Sequence, residues 1–220
     1  MAISLAVVNL IQSVAFQFGL PEERLHSQVL AESSGDPNAK GPFGEVGLMQ
    51  LSKPLLTDLG ITEKEGLDPG INLRAGAGYL RRLLDQFKAL APELREMEIY
   101  RIALWGYNGG PGYVKRAISM LREKGEAITI GNLEHILPQA KVSGRSLITS
   151  AVITYAERIL SKATVLAKAG GAPLAEATGI QLASYTGDTT QKVSPKKKSK
   201  SRGILLLLLT IGALVLVLKK

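Results

Sequence analysis

The chain has 220 residues, no cysteine, two histidines and a formal net charge of +8. That length suits one globular domain with an appendage, and without cysteine there is neither a disulfide framework nor thiolate chemistry. His26 and His135 stand apart from any acidic residues at ligand spacing, and no phosphate loop, nucleophile elbow or dinucleotide fingerprint is present, so neither a metal nor a cofactor is expected. The positive charge does not mark a nucleic-acid-binding protein. Lys192, Lys196, Lys197, Lys198, Lys200, Arg202, Lys219 and Lys220 supply all eight excess charges, which leaves 19 basic against 19 acidic residues in 1–191. A neutral body with a basic tail gives no reason to expect a specific nucleic-acid partner.

From the N-terminus, Leu5, Val8, Ile11, Ala15 and Phe18 recur near the helical period, while Asn9, Gln12, Ser13 and Gln17 fall elsewhere. The pattern predicts an amphipathic core helix over the first 20 residues. A signal peptide is the other reading of an apolar start. The first basic residue is Arg24 and no small-residue cleavage site follows, so the segment is expected to belong to the folded domain. A second helix is predicted over Pro21–Glu32, where Leu25, Val29 and Glu32 are spaced 4 and 3 apart. Ser33 and the turn Asp36-Pro37-Asn38-Ala39 follow at once, and a small β-hairpin or extended element is expected around residues 41–51. Leu73, Ala77, Leu80, Leu84 and Phe87 then form one stripe on a long helix from Asn72 to Leu90. Gly76 and Gly78 inside it each cost about 1 kcal/mol relative to Ala, which predicts a close backbone approach there. Helices over Met97–Trp105 and Tyr113–Lys124 should flank a Tyr107–Gly112 loop, and Ser146–Lys168 reads as a last long helix.

Glu32 carries the chemistry. Its spacing from Leu25 and Val29 sets the carboxyl on the apolar face of its helix, where partial desolvation raises a pKa and keeps the acid protonated near neutrality. A protonated carboxyl is what a general acid needs. A solvated or capped helix-end glutamate is the plain alternative on spacing alone.

The residues around it resemble the Slt-type lytic transglycosylases, lysozyme-like enzymes that cleave bacterial peptidoglycan. Glu32-Ser33 with Asp36-Pro37-Asn38-Ala39 is similar to the family's "ES…DP.A" segment, and Gly44-Glu45-Val46-Gly47-Leu48-Met49-Gln50 to its "GA.GLMQ" segment. Asn72 to Leu80 resembles the "NI..G..YL" helix, and Tyr107-Asn108-Gly109-Gly110-Pro111-Gly112 resembles "YNAGPG". Four blocks in the family's order are a specific signal, extending over about residues 5–160.

The resemblance implies a mainly α, lysozyme-like domain over residues 1–168, with peptidoglycan glycan strands as partner. It implies Glu32 as catalytic acid and then base, and Ser33, Met49, Gln50, Tyr107, Asn108 and Tyr155 as substrate-binding residues. Ser33 either orients Glu32 or caps its helix, and Met49 suits core packing equally well. Tyr155 takes the place of a late active-site tyrosine, although Ala151 stands where the family's "ET..Y" has its Glu. Ordinary glycosidases use two carboxylates. The nearby candidates are Asp36, which precedes a proline and shapes its turn, and Glu45, at a variable motif position. Goose-type lysozymes carry an acid two positions after the motif Gln, where this chain has Ser52. One carboxyl is enough for a lyase that forms a 1,6-anhydro-muramyl end. A hydrolytic lysozyme and a non-catalytic peptidoglycan-binding virion protein are the alternatives.

After Lys168 the composition shifts to a flexible basic linker, 169–202. Gly203–Leu218 is then an uncharged, Leu-rich run. As a helix it spans roughly 24 Å against a hydrocarbon core of ~30 Å. Arg202, Lys219 and Lys220 can snorkel, so a single transmembrane helix in a lipid membrane is predicted. Six basic residues on its N-terminal side against two on the other place the catalytic domain in the cytoplasm by the positive-inside rule. A wall enzyme held on that side fits the internal membrane of a bacteriophage virion, with a bacterial inner membrane as the alternative.

Overall fold

The computed structural model describes residues 3–168. The expected linker and the apolar run Gly203–Leu218 lie outside the described residues. Among the described residues no helix is long and apolar enough to cross a membrane.

The chain opens with α1 (Leu5–Phe18), started by Ser4, whose hydroxyl accepts from Val7 N, and ended by Gly19 in the left-handed region. Its buried face is Val7, Val8, Ile11, Val14 and Ala15. Leu5 is 50 % exposed, so the apolar stripe is rotated from the expected one. Helix α2 (Glu22–Ser33) is buried almost all round: Leu25, His26, Ser27, Gln28 and Val29 are all fully covered. It packs against α1 on one side and α9 (Thr149–Lys168) on the other. Burial pulls the His26 imidazole down to about 4, with Lys162 acting the same way, so His26 is a neutral core residue at physiological pH.

Two short helices, α3 (Lys53–Asp58) and α4 (Glu63–Gly66), precede α5 (Pro69–Leu90). The long helix starts earlier than its periodicity suggests, because Asp68 accepts from Ile71 N at 2.8 Å and Pro69 occupies the first turn. All five stripe residues of α5 are buried, against α1 and α6 (Glu96–Gly109). Gly76 explains itself: a Cβ there would lie 2.6 Å from Met49 Cβ. Gly78 is looser, with Phe18 Cε1 at 3.2 Å.

The expected Tyr107–Gly112 loop is not a loop. Helix α6 runs on to Gly109, and α7 (Pro111–Lys124) begins after Gly110 alone, at φ +95°. Tertiary packing overrides the low helix propensity of that sequence. A Cβ on Gly106 would lie 3.0 Å from Phe87 Cε2, and one on Gly109 would lie 2.7 Å from Val152 Cγ1, so both glycines allow close packing. After α8 (Ile130–Ile136) and a 3-10 turn (Leu137–Gln139), the strands β1 (Lys141–Val142) and β2 (Arg145–Ser146) form an antiparallel pair ahead of α9. The segment 41–51, where a β element was expected, holds only single bridges, Lys40 with Val46 and Val46 with Leu51.

That segment is instead pinned from behind by one buried side chain. Asn72 Oδ1 accepts from Met49 N at 2.8 Å, while its Nδ2 donates to Val46 O at 2.8 Å and to Gly66 O at 2.7 Å. The loop is thereby clamped to the first turns of α5, across the open end of α2. This forms one wall of a cleft.

Candidate active site

The cleft holds about 520 Å³. Glu32, in the last turn of α2, forms its floor. Pro42, Phe43, Glu45 and Gln50 contribute from the clamped loop, and Ser52 and Leu55 from the start of α3. Tyr79 of α5, the end of α6 from Tyr107 to Gly109, and Gly110 close the far side.

Glu32 is half-buried, and its carboxyl is pushed up to about 7. Burial is the largest cause, and Glu45 adds repulsion. Its place at the negative end of the α2 dipole acts in the same direction. Tyr155 and Arg158 pull the other way without winning. Tyr155 comes from α9, 123 positions further along, and its Oη donates to Glu32 Oε1. Gln28, one turn before Glu32 on α2, donates its Nε2 to Tyr155 Oη at 3.1 Å. The direction of the phenolic proton follows from this pair. With a donor already on Oη, the tyrosine hydrogen points to Glu32 Oε1, and the acid's own proton is left to Oε2. Burial and the Glu32 charge hold Tyr155 well above the usual phenol range, so it stays a donor.

The expected binding residues divide into those that line the cleft and those that build it. Gln50, Tyr107 and Asn108 line it. Tyr107 donates Oη to Met49 O at 3.0 Å and lies against Tyr79, ring centroids 5.3 Å apart. Asn108 is exposed in the last turn of α6. Gln50 spends its amide hydrogens on Ala39 O (3.2 Å) and Gly47 O (2.9 Å), which leaves only Oε1 for a ligand. Met49 is corrected to a core residue: it is wholly buried, and its backbone serves Asn72 and Tyr107. Ser33 is corrected too. Its Oγ lies 2.9 Å from Leu48 O and 3.2 Å from Val29 O, and it accepts from Gly35 N at 3.1 Å, tying α2 to the loop and making no hydrogen bond to Glu32.

Of the second-carboxylate candidates, Asp36 is a turn residue, accepting from Asn38 N at 2.9 Å. Glu45 does face the cleft. Gln28, Tyr79 and Phe43 were not among the expected site residues. Gln28 alone had a signal in the sequence, four positions before Glu32 on the same helical face.

The profile of the transglycosylase SLT domain matches residues 9–130, more than half of the chain. A membrane-bound lytic murein transglycosylase F from Shewanella pealeana is 35 % identical over 107 residues, covering 49 % of this chain and 21 % of the relative. The protein of the same name from Vibrio cholerae is 34 % identical over 94 residues, 43 % of this chain and 17 % of the relative. The chain thus spans about a fifth of these relatives' length. Among solved structures, the 70 kDa soluble lytic transglycosylase of Escherichia coli superposes with a TM-score of 0.54 at 22 % identity, covering 74 % of this chain and 24 % of that one. An inactive mutant of the lytic transglycosylase Slt of Pseudomonas aeruginosa gives 0.53 at 21 %, covering 75 % and 24 %. These two likenesses concern the fold. The profile match takes in Glu32, the clamped loop and the end of α6, and stops short of Tyr155; on that match, the chain belongs to the transglycosylase SLT domain family.

Proposed function

We propose that the chain is a peptidoglycan lytic transglycosylase, cleaving the β-1,4 bond between N-acetylmuramic acid and N-acetylglucosamine. The observation that carries this is Glu32: one cleft carboxyl, raised to about 7 and held at Oε1 by Tyr155. Glu32 Oε2 protonates the glycosidic oxygen as the bond to C1 breaks. The resulting carboxylate takes the proton of the muramyl 6-hydroxyl while O6 closes onto C1 as a 1,6-anhydro ring. An internal hydroxyl has an effective molarity that stands in for an activated water. Ser52 in place of an acid supports the lyase outcome, since the cleft then lacks a base at that position.

A hydrolytic reading has one observation in its favour, the presence of Glu45 in the same cleft. Digestion of purified sacculi by the full chain in mild detergent, followed by mass spectrometry of the muropeptides, separates the readings. Anhydro-muropeptides support the lyase, reducing ends the hydrolase, and no product would overturn both in favour of a binding protein.

We also infer, from the six-to-two excess of basic residues flanking Gly203–Leu218, a membrane anchor that keeps the domain on the cytoplasmic side until delivery. The biological setting that fits is local wall opening by a membrane-containing phage during infection or release. Protease added to spheroplasts producing the full chain tests it; digestion of the domain from outside overturns the orientation and the phage setting with it.

A further inference from the structure

Glu45 is unusual for what surrounds it. Its Oε2 accepts one backbone hydrogen bond, from Phe43 N at 3.0 Å, and it has no ion pair among the described residues. The lysine nearest in sequence, Lys40, pairs with Glu63 instead. Among the described residues, no basic side chain lines the cleft. Beside Glu45 stands Gln50 Oε1, fixed as an acceptor because both amide hydrogens are used by carbonyls of the loop. These two oxygens converge. A Cβ built on Gly41 would lie 2.3 Å from Glu45 Oε2 and 2.8 Å from Gln50 Oε1. Glycine at 41 therefore lets these two acceptors of the cleft wall sit side by side, folded in against its backbone. Phe43 lines the same cleft at 88 % exposure and offers an aromatic face next to the acceptors.

We infer that Phe43, Glu45 and Gln50, with the two acceptors seated against Gly41, form a subsite for a primary ammonium group of the substrate. The inference rests on peptidoglycan being the substrate. An acetamido N–H brings one neutral donor, whereas an ammonium brings three donors and the charge that an unpaired carboxylate lacks. The aromatic face adds a cation–π contact that a neutral amide does not gain. Within peptidoglycan such a group occurs in two places: on a glucosamine that has lost its acetyl group, and on the diamino acid of the stem peptide. Glu45 thus serves substrate selection, one step away from the proton transfers of Glu32.

The test uses the full chain carrying Glu32→Gln, so that binding is read without turnover, pelleted with purified sacculi in mild detergent. Acetylating the free amines of the sacculi is expected to weaken binding about tenfold. With Glu45→Gln added, that difference should vanish. Gly41→Ala, whose methyl would collide with both acceptors and push them apart, should remove it too. Glycan strands freed of stem peptides and coupled to beads identify the source. Weakening equal to that from acetylation assigns the peptide amine, and full affinity that rises further after enzymatic de-N-acetylation assigns the glucosamine. Binding indifferent to acetylation, or equally sensitive in the Glu45→Gln background, overturns the subsite. Absence of both binding and products on every kind of sacculus overturns the proposed function and the subsite together.

Discussion

Replacing Glu32 with Gln should make the fold more stable, and only above about pH 5. The carboxyl's folded pKa is about 7 against 4.5 unperturbed, so the folded state holds a proton that the unfolded state releases. Between those two values the stability of the wild type falls as pH rises, and above pH 7 the loss is complete. A gap of that size is worth roughly 3 kcal/mol, as an upper bound for a group that still touches solvent. Glutamine carries no such charge and can still accept from Tyr155 through its own Oε1, so the Tyr155 contact survives the exchange. Thermal unfolding of both proteins in mild detergent at pH 4.5, 6 and 8 measures the effect. The two should differ least at pH 4.5, and the variant should gain about 6–12 °C at pH 8. A stability difference that does not change between pH 4.5 and 8 would refute the claim that the Glu32 carboxylate is desolvated. The general-acid assignment would lose its physical basis with it. Activity should move oppositely, with turnover by Glu32→Gln reduced by at least about 10²-fold.

Tyr155→Phe removes a hydrogen bond that lowers the Glu32 pKa, so the pKa rises, and the alkaline limb of the pH–kcat profile should move upward while kcat falls. An unmoved limb would deny Tyr155 its part in setting the acid. Gln28→Leu should shift the same limb in the same direction by less, because it weakens the phenol as a donor and leaves the contact in place. Asn72→Ala orphans Met49 N, Val46 O and Gly66 O together and should cost about 3–5 kcal/mol, read as a fall in Tm. A cost below about 1 kcal/mol would mean that the loop is held by other contacts. Ser52→Asp adds a carboxylate to the cleft at the N-cap of α3, where aspartate is well tolerated, and should divert part of the product to reducing ends. A product mixture identical to wild type would show that position 52 does not face the reacting carbon.

The long helices were legible because their burial follows the 3.6-residue period. In α5 every stripe residue from Leu73 to Phe87 is covered. In α1 the stripe was nearly right, but Leu5 turns outward and Val7 and Val14 inward, since two adjacent valines allow two phases of one pattern. Helices α3 and α4, of six and four residues, are shorter than the window over which a period can be read. The end of α6 was misread for a different reason. Tyr107-Asn108-Gly109-Gly110 has the composition of a loop, and only the contacts of Gly106 with Phe87 and of Gly109 with Val152 hold it helical. Those partners lie far away in the chain, where local propensity cannot register them.

The same distinction governs the site. The desolvation of Glu32 was readable because it depends on the residues three and seven positions before it, on the same helix, and the structure gives the raised pKa that this spacing implies. Met49 stayed open between groove and core because a motif records which residues occur together and not which way each one faces. Its neighbour Gln50, at φ +46°, is turned to the cleft by a left-handed backbone that no alternation rule predicts. Tyr155 depended on α9 docking beside α2, and Ala151, at the place of the motif's Glu, is exposed. What ties it to Glu32 is Gln28, a buried amide on α2 that interrupts an apolar face. A polar residue costs free energy there unless it finds a partner, and the partner it finds is the tyrosine that holds the acid. In a helix that buries five consecutive residues, such an amide four positions before a carboxyl marks a network around the acid, and it specifies which oxygen of Glu32 keeps the proton.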